Sequence, residues 1–238
     1  MKTKRVLVTG ASKGIGRAIC ERLIEDGYSV VGVARTRPAD LPANIEFHAV
    51  DLADSTALDQ FLATVGTQPF YGLVNNVGLV PIAHLEDVRL EDLHRAVQLN
   101  IETAIRCTQQ LAPAMKAAQQ GRVINIASRA ALGKVGRTVY SMTKAGLIGM
   151  TRTWALELAS SGVTVNAIAP GPIATEFFAN VNDPNDAPTQ SLLASIPVGR
   201  VGRPEEVAHA ASYFLDERCG FVTGQTHFVC GGLSIGAA

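Results

Sequence analysis

Three side chains suited to proton transfer lie close together in the sequence. Tyr140 and Lys144 are four residues apart, and Ser128 precedes Tyr140 by twelve residues. On a helix, residues four apart share one face. A phenol with its ordinary pKa of about 10 is a poor base at neutral pH, but a neighbouring ammonium lowers that pKa. The pattern predicts that Tyr140 exchanges a proton with a carbonyl or alcohol oxygen and that Ser128 hydrogen-bonds the same oxygen.

A glycine-rich turn near the start of the chain predicts a second site. Gly10, Gly14 and Gly16 follow an apolar run and precede a helical pattern. Such a turn lets the backbone approach phosphate, and the following helix offers free N–H groups and the positive end of its dipole to a pyrophosphate. The order strand, turn, helix, strand therefore predicts a dinucleotide cofactor. Together with the proton-transfer residues, it indicates a nicotinamide-dependent oxidoreductase, in which the cofactor carries the hydride.

The residues after the second predicted strand indicate which nicotinamide cofactor binds. An acidic residue at that place binds the 2′-hydroxyl of NAD, whereas an arginine accommodates the 2′-phosphate of NADP. The chain has Arg35 there and no carboxylate, and Lys13 adds a positive charge inside the glycine turn. NADPH is therefore expected rather than NADH. The alternative is that Arg35 and Arg37 are only solvated surface charges.

Asp51 follows the third predicted strand and has two candidate roles. It is placed to accept a hydrogen bond from the adenine amino group of the cofactor. It is equally placed to cap the next helix, where Asp54 and Ser55 compete for that position. The sequence leaves both roles open.

Strand and helix patterns alternate along the chain and predict how these residues are positioned. Apolar runs predict strands at Arg5–Thr9, Tyr28–Ala34, Ile45–Val50, Tyr71–Asn75, Val123–Ala127, Val163–Ala169 and Thr226–Val229. Helical periodicity predicts helices at Ile15–Glu25, Leu58–Val65, Leu90–Ala118, Thr138–Ala159 and Pro204–Leu215. A polar segment at 176–198 predicts a mobile substrate lid with short helices.

This alternation predicts an α/β fold with one domain over residues 1–238. The expected architecture is a Rossmann-type doubly wound parallel sheet with helices on both faces. Ligands of such sheets bind outside the carboxyl ends of the strands. The glycine turn, Asn75, Ser128 and Pro170–Gly171 all follow predicted strands at that end. Their shared placement predicts a single site.

Composition excludes several other classes of protein. The 238 residues carry 21 Lys and Arg against 21 Asp and Glu, and neither a basic stripe nor an acidic tail is present. Nucleic acid and anionic membrane are therefore not expected as partners. No run of 18 apolar residues predicts a membrane span, and Val6–Val8 is too short for a signal peptide core. The four cysteines lack metal-ligand or redox spacing, so no metal is expected and reduced thiols in a cytoplasmic protein are predicted.

The motifs together resemble those of the short-chain dehydrogenase/reductase family over nearly the whole chain. The residues that carry the resemblance are Thr9–Gly16, Asn75–Gly78, Asn100, Ser128, Tyr140 with Lys144, Asn166, Pro170–Pro172 and Val222–Gln225. The resemblance implies a catalytic tetrad of Asn100, Ser128, Tyr140 and Lys144. In that tetrad Asn100 holds a water that relays protons to Lys144, which also binds the nicotinamide ribose. Family members are commonly tetramers, so a homotetramer built from the helices at Leu90–Ala118 and Thr138–Ala159 and from the C-terminal strand is expected.

The resemblance and the glycine turn together predict the residues that contact NADP(H). Asn76 is implied to lie beside the cofactor, and Ile173 and Thr175 are implied to contact its nicotinamide end. The full predicted set is Gly10, Ser12, Lys13, Gly14, Ile15, Gly16, Arg35, Asp51, Leu52, Asn76, Gly78, Tyr140, Lys144, Pro170, Gly171, Ile173 and Thr175.

The chain departs from the family pattern at three places. Val77 stands where alanine is usual, and Cys230 stands where aspartate is common. The spacing from Ser128 to Tyr140 is twelve residues rather than thirteen. A loop that is one residue shorter within Arg129–Val139 absorbs this difference and is expected to reshape the substrate pocket.

Charge and apolarity distinguish between candidate substrates. Gly199–Val207 resembles the branch of 3-ketoacyl-carrier-protein reductases, which must bind a very acidic carrier protein through basic residues. The lid has no Lys or Arg before Arg200, and the helix before the fifth strand offers Lys116 alone. These charges disfavour a carrier-protein substrate.

The lid also contains four apolar side chains, which are Phe177, Phe178, Leu192 and Leu193. They either line a pocket for a small or medium apolar carbonyl compound or only pack the lid onto the domain. Three functions therefore stay open. The first is an NADPH-dependent reductase of a small ketone or ketoester, reversible as an alcohol dehydrogenase. The second is a 3-ketoacyl-thioester reductase, and the third is an NADP-binding sensor without turnover, against which the intact Tyr140–Lys144 pair argues.

Overall fold

A computed structural model describes residues 3–235 of the chain. The strands are β1 Arg5–Thr9, β2 Ser29–Ala34, β3 Glu46–Ala49, β4 Gly72–Asn75, β5 Gly121–Ile126, β6 Val163–Pro170 and β7 Thr226–Val229. The helices are α1 Gly14–Glu25, α2 Ser55–Val65, α3 Leu90–Val97, α4 Thr103–Ala117, α5 Thr138–Leu158, α6 Glu176–Val181, α7 Ala187–Ala194 and α8 Pro204–Leu215. Within these residues, every predicted strand and helix is found close to its predicted bounds.

The strands form one parallel sheet in the order β3-β2-β1-β4-β5-β6-β7. All residues of β4, β5 and β6 are buried, as expected of strands that are covered on both faces. The strand order reverses between β1 and β4, and a crevice opens there outside the carboxyl ends of the strands. The predicted Rossmann-type α/β fold is confirmed.

Two apolar cores fasten the helices to opposite faces of the sheet. On one face, α1 and α8 pack against β1 and β5 through residues such as Ile19 and Phe214. On the other face, α2, α4 and α5 contribute residues such as Leu58, Leu111 and Leu158. These cores hold the strands rigidly, so the loops at their carboxyl ends start from fixed positions.

One region differs in detail from the sequence prediction. The helical region predicted at Leu90–Ala118 is interrupted by a π-helical turn at Gln98–Glu102. One extra residue in that turn directs the side chain of Asn100 inward, where it is buried. The predicted lid at 176–198 contains the two short helices α6 and α7.

None of the helices within residues 3–235 is long and apolar enough to cross a membrane. The four cysteines are buried with free thiols. Burial raises the pKa of Cys20 and of Cys107 to about 12, so these two thiols stay protonated at neutral pH.

Candidate active site

A cavity of about 990 Å³ lies along the carboxyl ends of the strands. All residues predicted to contact the cofactor line it, and so does Ser128. The glycine turn after β1 lies at one end, and Ser128 after β5 lies at the other. The fold thus brings the two sites predicted from the sequence into one continuous cavity.

The turn between β1 and α1 requires its glycines for steric reasons. Gly10 and Gly14 have φ angles of +68° and +56°, which L-residues with a side chain rarely adopt. A Cβ atom on Gly16 would lie 2.2 Å from the carbonyl oxygen of Gly10. No side chain of these glycines therefore covers the backbone where α1 begins. The free N–H groups of the first turn of α1 face the cavity, as binding of a pyrophosphate requires.

Side-chain hydrogen bonds fix this turn to the end of β4. The hydroxyl of Thr9 accepts hydrogen bonds from the backbone N–H groups of Asn76 and Val77, at 2.9 and 3.0 Å. In return, Nδ2 of Asn76 donates to the carbonyl oxygens of Thr9 and Gly10, at 2.9 and 3.2 Å. Asn76 thus positions the phosphate-binding turn in addition to lining the cavity.

Tyr140 and Lys144 share one face of α5, as their spacing predicted. Nζ of Lys144 lies 5.7 Å from the centre of the Tyr140 ring and donates a 2.7 Å hydrogen bond to the carbonyl oxygen of Ile126. Lys144 is only 3% exposed, and burial lowers its pKa to about 8.

Burial raises the pKa of Tyr140, which keeps the phenol protonated and able to donate. Hydrogen bonding with Ser128 and the positive charge of Arg137 oppose this increase in the pKa. Ser128 itself caps the short helical turn Arg129–Leu132, because its hydroxyl accepts from the N–H of Ala130 at 3.1 Å. The twelve-residue spacing thus leaves Ser128 beside Tyr140.

Asn100 lies behind the cavity rather than on its surface. Its Oδ1 accepts from the N–H of Leu79 at 2.7 Å, and its Nδ2 donates to the carbonyl oxygen of Leu79 and to the hydroxyl of Thr143. A Cβ on Gly78 would contact both Oδ1 of Asn100 and Nζ of Lys144, at 3.3 and 3.5 Å. Asn100 therefore holds the strand-end loop against α5, and its role in a water relay stays a prediction.

The opposite end of the cavity presents the residues predicted to select the cofactor. Arg35 is exposed there and lines the cavity. Nζ of Lys13 lies 2.8 Å from Oε2 of Glu176, so the turn carries an ion pair with α6. The two roles considered for Asp51 were binding of the adenine amino group and capping of α2. Asp54 caps α2, because its side chain accepts hydrogen bonds from the N–H groups of the first turn of that helix. Asp51 lines the cavity and accepts only from the N–H of Ala53, at 3.0 Å.

The lid contributes part of the predicted apolar surface. Phe177, Phe178 and Leu192 line the cavity, whereas Leu193 does not. Val181 also lines it and was not predicted. Apolar contact with a substrate is therefore available from one side of the cavity.

The structure corrects the charge survey made from the sequence. That survey considered the lid and the helix before β5, and it missed Arg129, Lys134 and Arg137 between β5 and α5. All three line the cavity. The signal was present as three cations within nine residues, immediately before Tyr140. Their place along the cavity depends on the fold of this loop, which the N–H of Ala83 holds by a hydrogen bond to the carbonyl oxygen of Gly136.

Among residues 3–235, no group of three His, Cys, Asp or Glu side chains is arranged to hold a metal ion.

Comparisons with known proteins agree with this geometry. A family model for short-chain dehydrogenases/reductases, described as Enoyl-(Acyl carrier protein) reductase, matches residues 10–234. A 3-oxoacyl-[acyl-carrier-protein] reductase of Synechocystis is 38% identical, over 95% of each chain. A solved short-chain dehydrogenase/reductase is 31% identical with a TM-score of 0.89, over 99% of this chain and 100% of the other. The structure of ElxO with NADP bound is 26% identical with a TM-score of 0.90, over 98% of this chain and 100% of the other.

The chain therefore belongs to the short-chain dehydrogenase/reductase family, whose enzymes are oxidoreductases that interconvert alcohols and carbonyl compounds. The family and the class of enzyme predicted from the sequence are confirmed.

Proposed function

We propose that this protein reduces a ketone to a secondary alcohol with NADPH, reversibly, and that Tyr140 is the proton donor. The observation that carries the proposal is the convergence of Tyr140, Ser128 and Lys144 at one end of a cavity whose other end is a phosphate-binding turn. Structural relatives with bound NADP, such as ElxO, support the choice of cofactor, as does Arg35 at the ribose end.

The side chains of the cavity each have a role in this reaction. NADPH supplies the hydride when bound. Ser128 and Tyr140 hold the carbonyl oxygen of the substrate, and the Tyr140 hydroxyl donates its proton to that oxygen as negative charge develops there. The ammonium of Lys144 is buried and has no negatively charged partner among residues 3–235 until the phenolate of Tyr140 forms. It then stabilises that phenolate after the proton has been transferred.

A second candidate function is reduction of a 3-ketoacyl thioester. Relatives named 3-oxoacyl-[acyl-carrier-protein] reductase support it. The cations Arg129, Lys134 and Arg137 at the cavity remove part of the electrostatic objection that the sequence raised. A preference for a carrier-protein thioester over free ketones would select this function.

NADPH oxidation tests the proposal directly. Purified protein is given a panel of small ketones, ketoesters, oxo acids and a 3-ketoacyl thioester. Tyr140→Phe is expected to lower kcat/KM by about a hundredfold or more while NADPH binding is unchanged, because only proton donation is lost. The matched control is Tyr213→Phe, an exposed tyrosine outside the cavity, which should retain full activity. Turnover that persists in Tyr140→Phe contradicts the proposal, and NADPH binding without turnover of any compound supports a sensor.

We also propose that the active form is a homotetramer. Leu156 on α5 is 85% exposed, and Phe221 just before β7 is fully exposed. Leu156 lies on a helix through which the family commonly assembles and Phe221 precedes the C-terminal strand, and their burial in a partner would remove apolar surface from water.

A further inference from the structure

A cationic cluster made of Arg129, Lys134 and Arg137 lies at the substrate end of the cavity. The loop that carries it is held in place by a 3.1 Å hydrogen bond from the N–H of Ala83 to the carbonyl oxygen of Gly136. Gly133 and Gly136 have φ angles of +101° and +68°, which fold the loop back on itself. All three cationic side chains line the cavity, and Arg137 lies near enough to Tyr140 for its charge to act on the phenol.

The cluster lacks anionic partners in the part of the chain that the structure describes. Carboxylates that line the cavity are Asp40, Asp51 and Glu176, and two of them are paired, with Arg17 and Lys13. Ion pairs among residues 3–235 include none of the three cluster cations. The guanidinium of Arg137 donates only to the carbonyl oxygen of Gly136.

The three charges also repel one another. Burial, followed by the charges of Arg137 and Arg129, lowers the pKa of Lys134. Like charges brought together destabilise the protonated forms, and a bound anion removes that cost. A bound anion would therefore be stabilised by the cations that line this end of the cavity.

The elements that would bind the cofactor phosphates follow other strands than the cluster does. In the sheet, β2 and β5 are separated by β1 and β4, so Arg35 and the loop after β5 are three strand spacings apart, or about 14 Å. The glycine turn after β1 is two spacings, or about 10 Å, from the end of β5. The anion that the cluster binds belongs to the molecule that occupies the Tyr140 end.

We propose that the substrate is a small oxo acid, whose ketone binds Tyr140 and Ser128 and whose carboxylate binds the cluster. This inference rests on the proposed ketone reduction. Arg137 stands beside Tyr140, so ketone and carboxylate are only a few bonds apart. The phosphate of a pantetheine thioester is separated from its carbonyl by the whole pantetheine arm and does not match this spacing. Phe177, Phe178 and Leu192 bind the remaining apolar part of the acid.

Matched pairs of substrates test the inference. Straight-chain oxo acids with the ketone at carbon 3, 4 or 5 are compared with their methyl esters, which keep the ketone and remove the charge. At least one acid is expected to exceed its ester in kcat/KM by about tenfold or more, because a charge-assisted hydrogen bond contributes about 1.5–3 kcal/mol. Lys134→Met should reduce this acid-to-ester ratio of kcat/KM about tenfold, because only the acid carries the charge that Lys134 would bind.

Lys116→Met is the matched control, since Lys116 is an exposed lysine that does not line the cavity. It should leave the ratio unchanged. The dissociation constant of NADPH should be the same in both variants, and a weaker NADPH affinity in Lys134→Met would assign the cluster to the cofactor instead. Equal kcat/KM for acids and esters in the wild type overturns the inference even where ketones are reduced. A preference for a 3-ketoacyl-CoA that depends on Lys134 also overturns it and identifies a phosphate.

If no acid or ester is turned over, binding decides the inference separately from the proposed reduction, which the wider panel of ketones tests. Calorimetry measures the affinity of the oxo acids for the NADP⁺-loaded protein. The inference requires binding that weakens about tenfold in Lys134→Met and is unchanged in Lys116→Met. No binding of any oxo acid overturns it.

Discussion

At the scale of single residues, most of the cations that line the site have no ion-pair partner among residues 3–235. Lys144 is the clearest case, because its ammonium lies in the core with a carbonyl oxygen as its hydrogen-bond acceptor. A structural role would be served better by an apolar side chain of similar length. The residue is retained at a cost in stability, which is typical of a functional site.

Replacement of Lys144 by methionine is therefore expected to stabilise the cofactor-free protein while it abolishes turnover. The pKa of about 8, against an ordinary value of 10.5, means that protonation in the folded state at pH 7 costs about 3 kcal/mol. Loss of the bond to Ile126 offsets part of this, so a net gain of about 1 kcal/mol in the free energy of unfolding is expected at pH 7. Thermal and urea unfolding measure it.

The stability gained in Lys144→Met is expected to depend on pH. The folded-state pKa of Lys144 is lowered, so the cost is fully present below pH 8 and disappears as the pH rises from 8 to 10.5. The advantage of Lys144→Met over the wild type should shrink across that range. Lys116→Met, with an exposed lysine, should show neither the gain nor its pH dependence. A variant that is less stable than the wild type at every pH would show that Lys144 contributes to the fold.

We propose that the preference for NADPH depends on Arg35. Arg35→Asp should lower the ratio of kcat/KM for NADPH to that for NADH by about ten- to a hundredfold, because an ionic hydrogen bond is replaced by repulsion. Arg37→Asp is the control, since Arg37 does not line the cavity and its guanidinium lies 5.8 Å from the Phe47 ring. A ratio that Arg35→Asp leaves unchanged would mean that Arg35 is only a solvated charge.

At the scale of elements, the site is assembled by side chains that join the end of one strand to the next. Thr9 at the end of β1 is fully buried and holds two backbone N–H groups that follow β4. The π-helical turn between α3 and α4 does the same for Asn100 and the loop at Leu79. These hydrogen bonds connect segments that are far apart in sequence. The rigidity of the catalytic loops therefore depends on the rigidity of the strand ends to which they are bonded.

Thr9→Val should therefore destabilise the protein although its shape is preserved. It leaves the N–H groups of Asn76 and Val77 without an acceptor, which costs about 2–4 kcal/mol in the free energy of unfolding. NADPH affinity should fall with it, since the glycine turn loses its connection to β4. Thr9→Ser keeps the hydroxyl and should restore NADPH affinity. Equal stability of Thr9→Val and the wild type in urea would refute this role.

At the scale of the whole molecule, the sheet order separates two cationic regions, for which we propose different anions. Arg35 and Lys13 lie at the carboxyl ends of β2 and β1, and the cluster of Arg129, Lys134 and Arg137 follows β5. The net charge of the chain is zero, yet eight cations and three carboxylates line the cavity. The fold concentrates positive charge where NADPH and the proposed oxo acid meet, which also favours their capture from solution.

Assembly is a property of the outer surface of the whole molecule. If α5 forms an interface between subunits, Leu156→Lys should convert a tetramer into dimers or monomers, because a charge would be buried in an apolar contact. The mass in solution is measured by light scattering. Leu85→Lys is the control, since Leu85 is 76% exposed in a short turn outside the long helices and the C-terminal strand. A wild-type monomer, or a tetramer that survives Leu156→Lys, contradicts an interface on this face.

The sequence by itself determined the order of strands and helices, the glycine turn and the Tyr140–Lys144 pair, because these depend on local periodicity, steric demand and spacing within a single helix. The parallel sheet followed from that order, and with it the edge at which the predicted residues meet. Tertiary structure alone decided the rest. Burial of Lys144, the binding of strand-end loops by Thr9 and Asn100, and the approach of Arg129, Lys134 and Arg137 to Tyr140 all arise between segments distant in the chain. The energies of these interactions depend on interatomic distances and on the exclusion of solvent. Both are set only when the strands are aligned and the loops are folded over the strand ends.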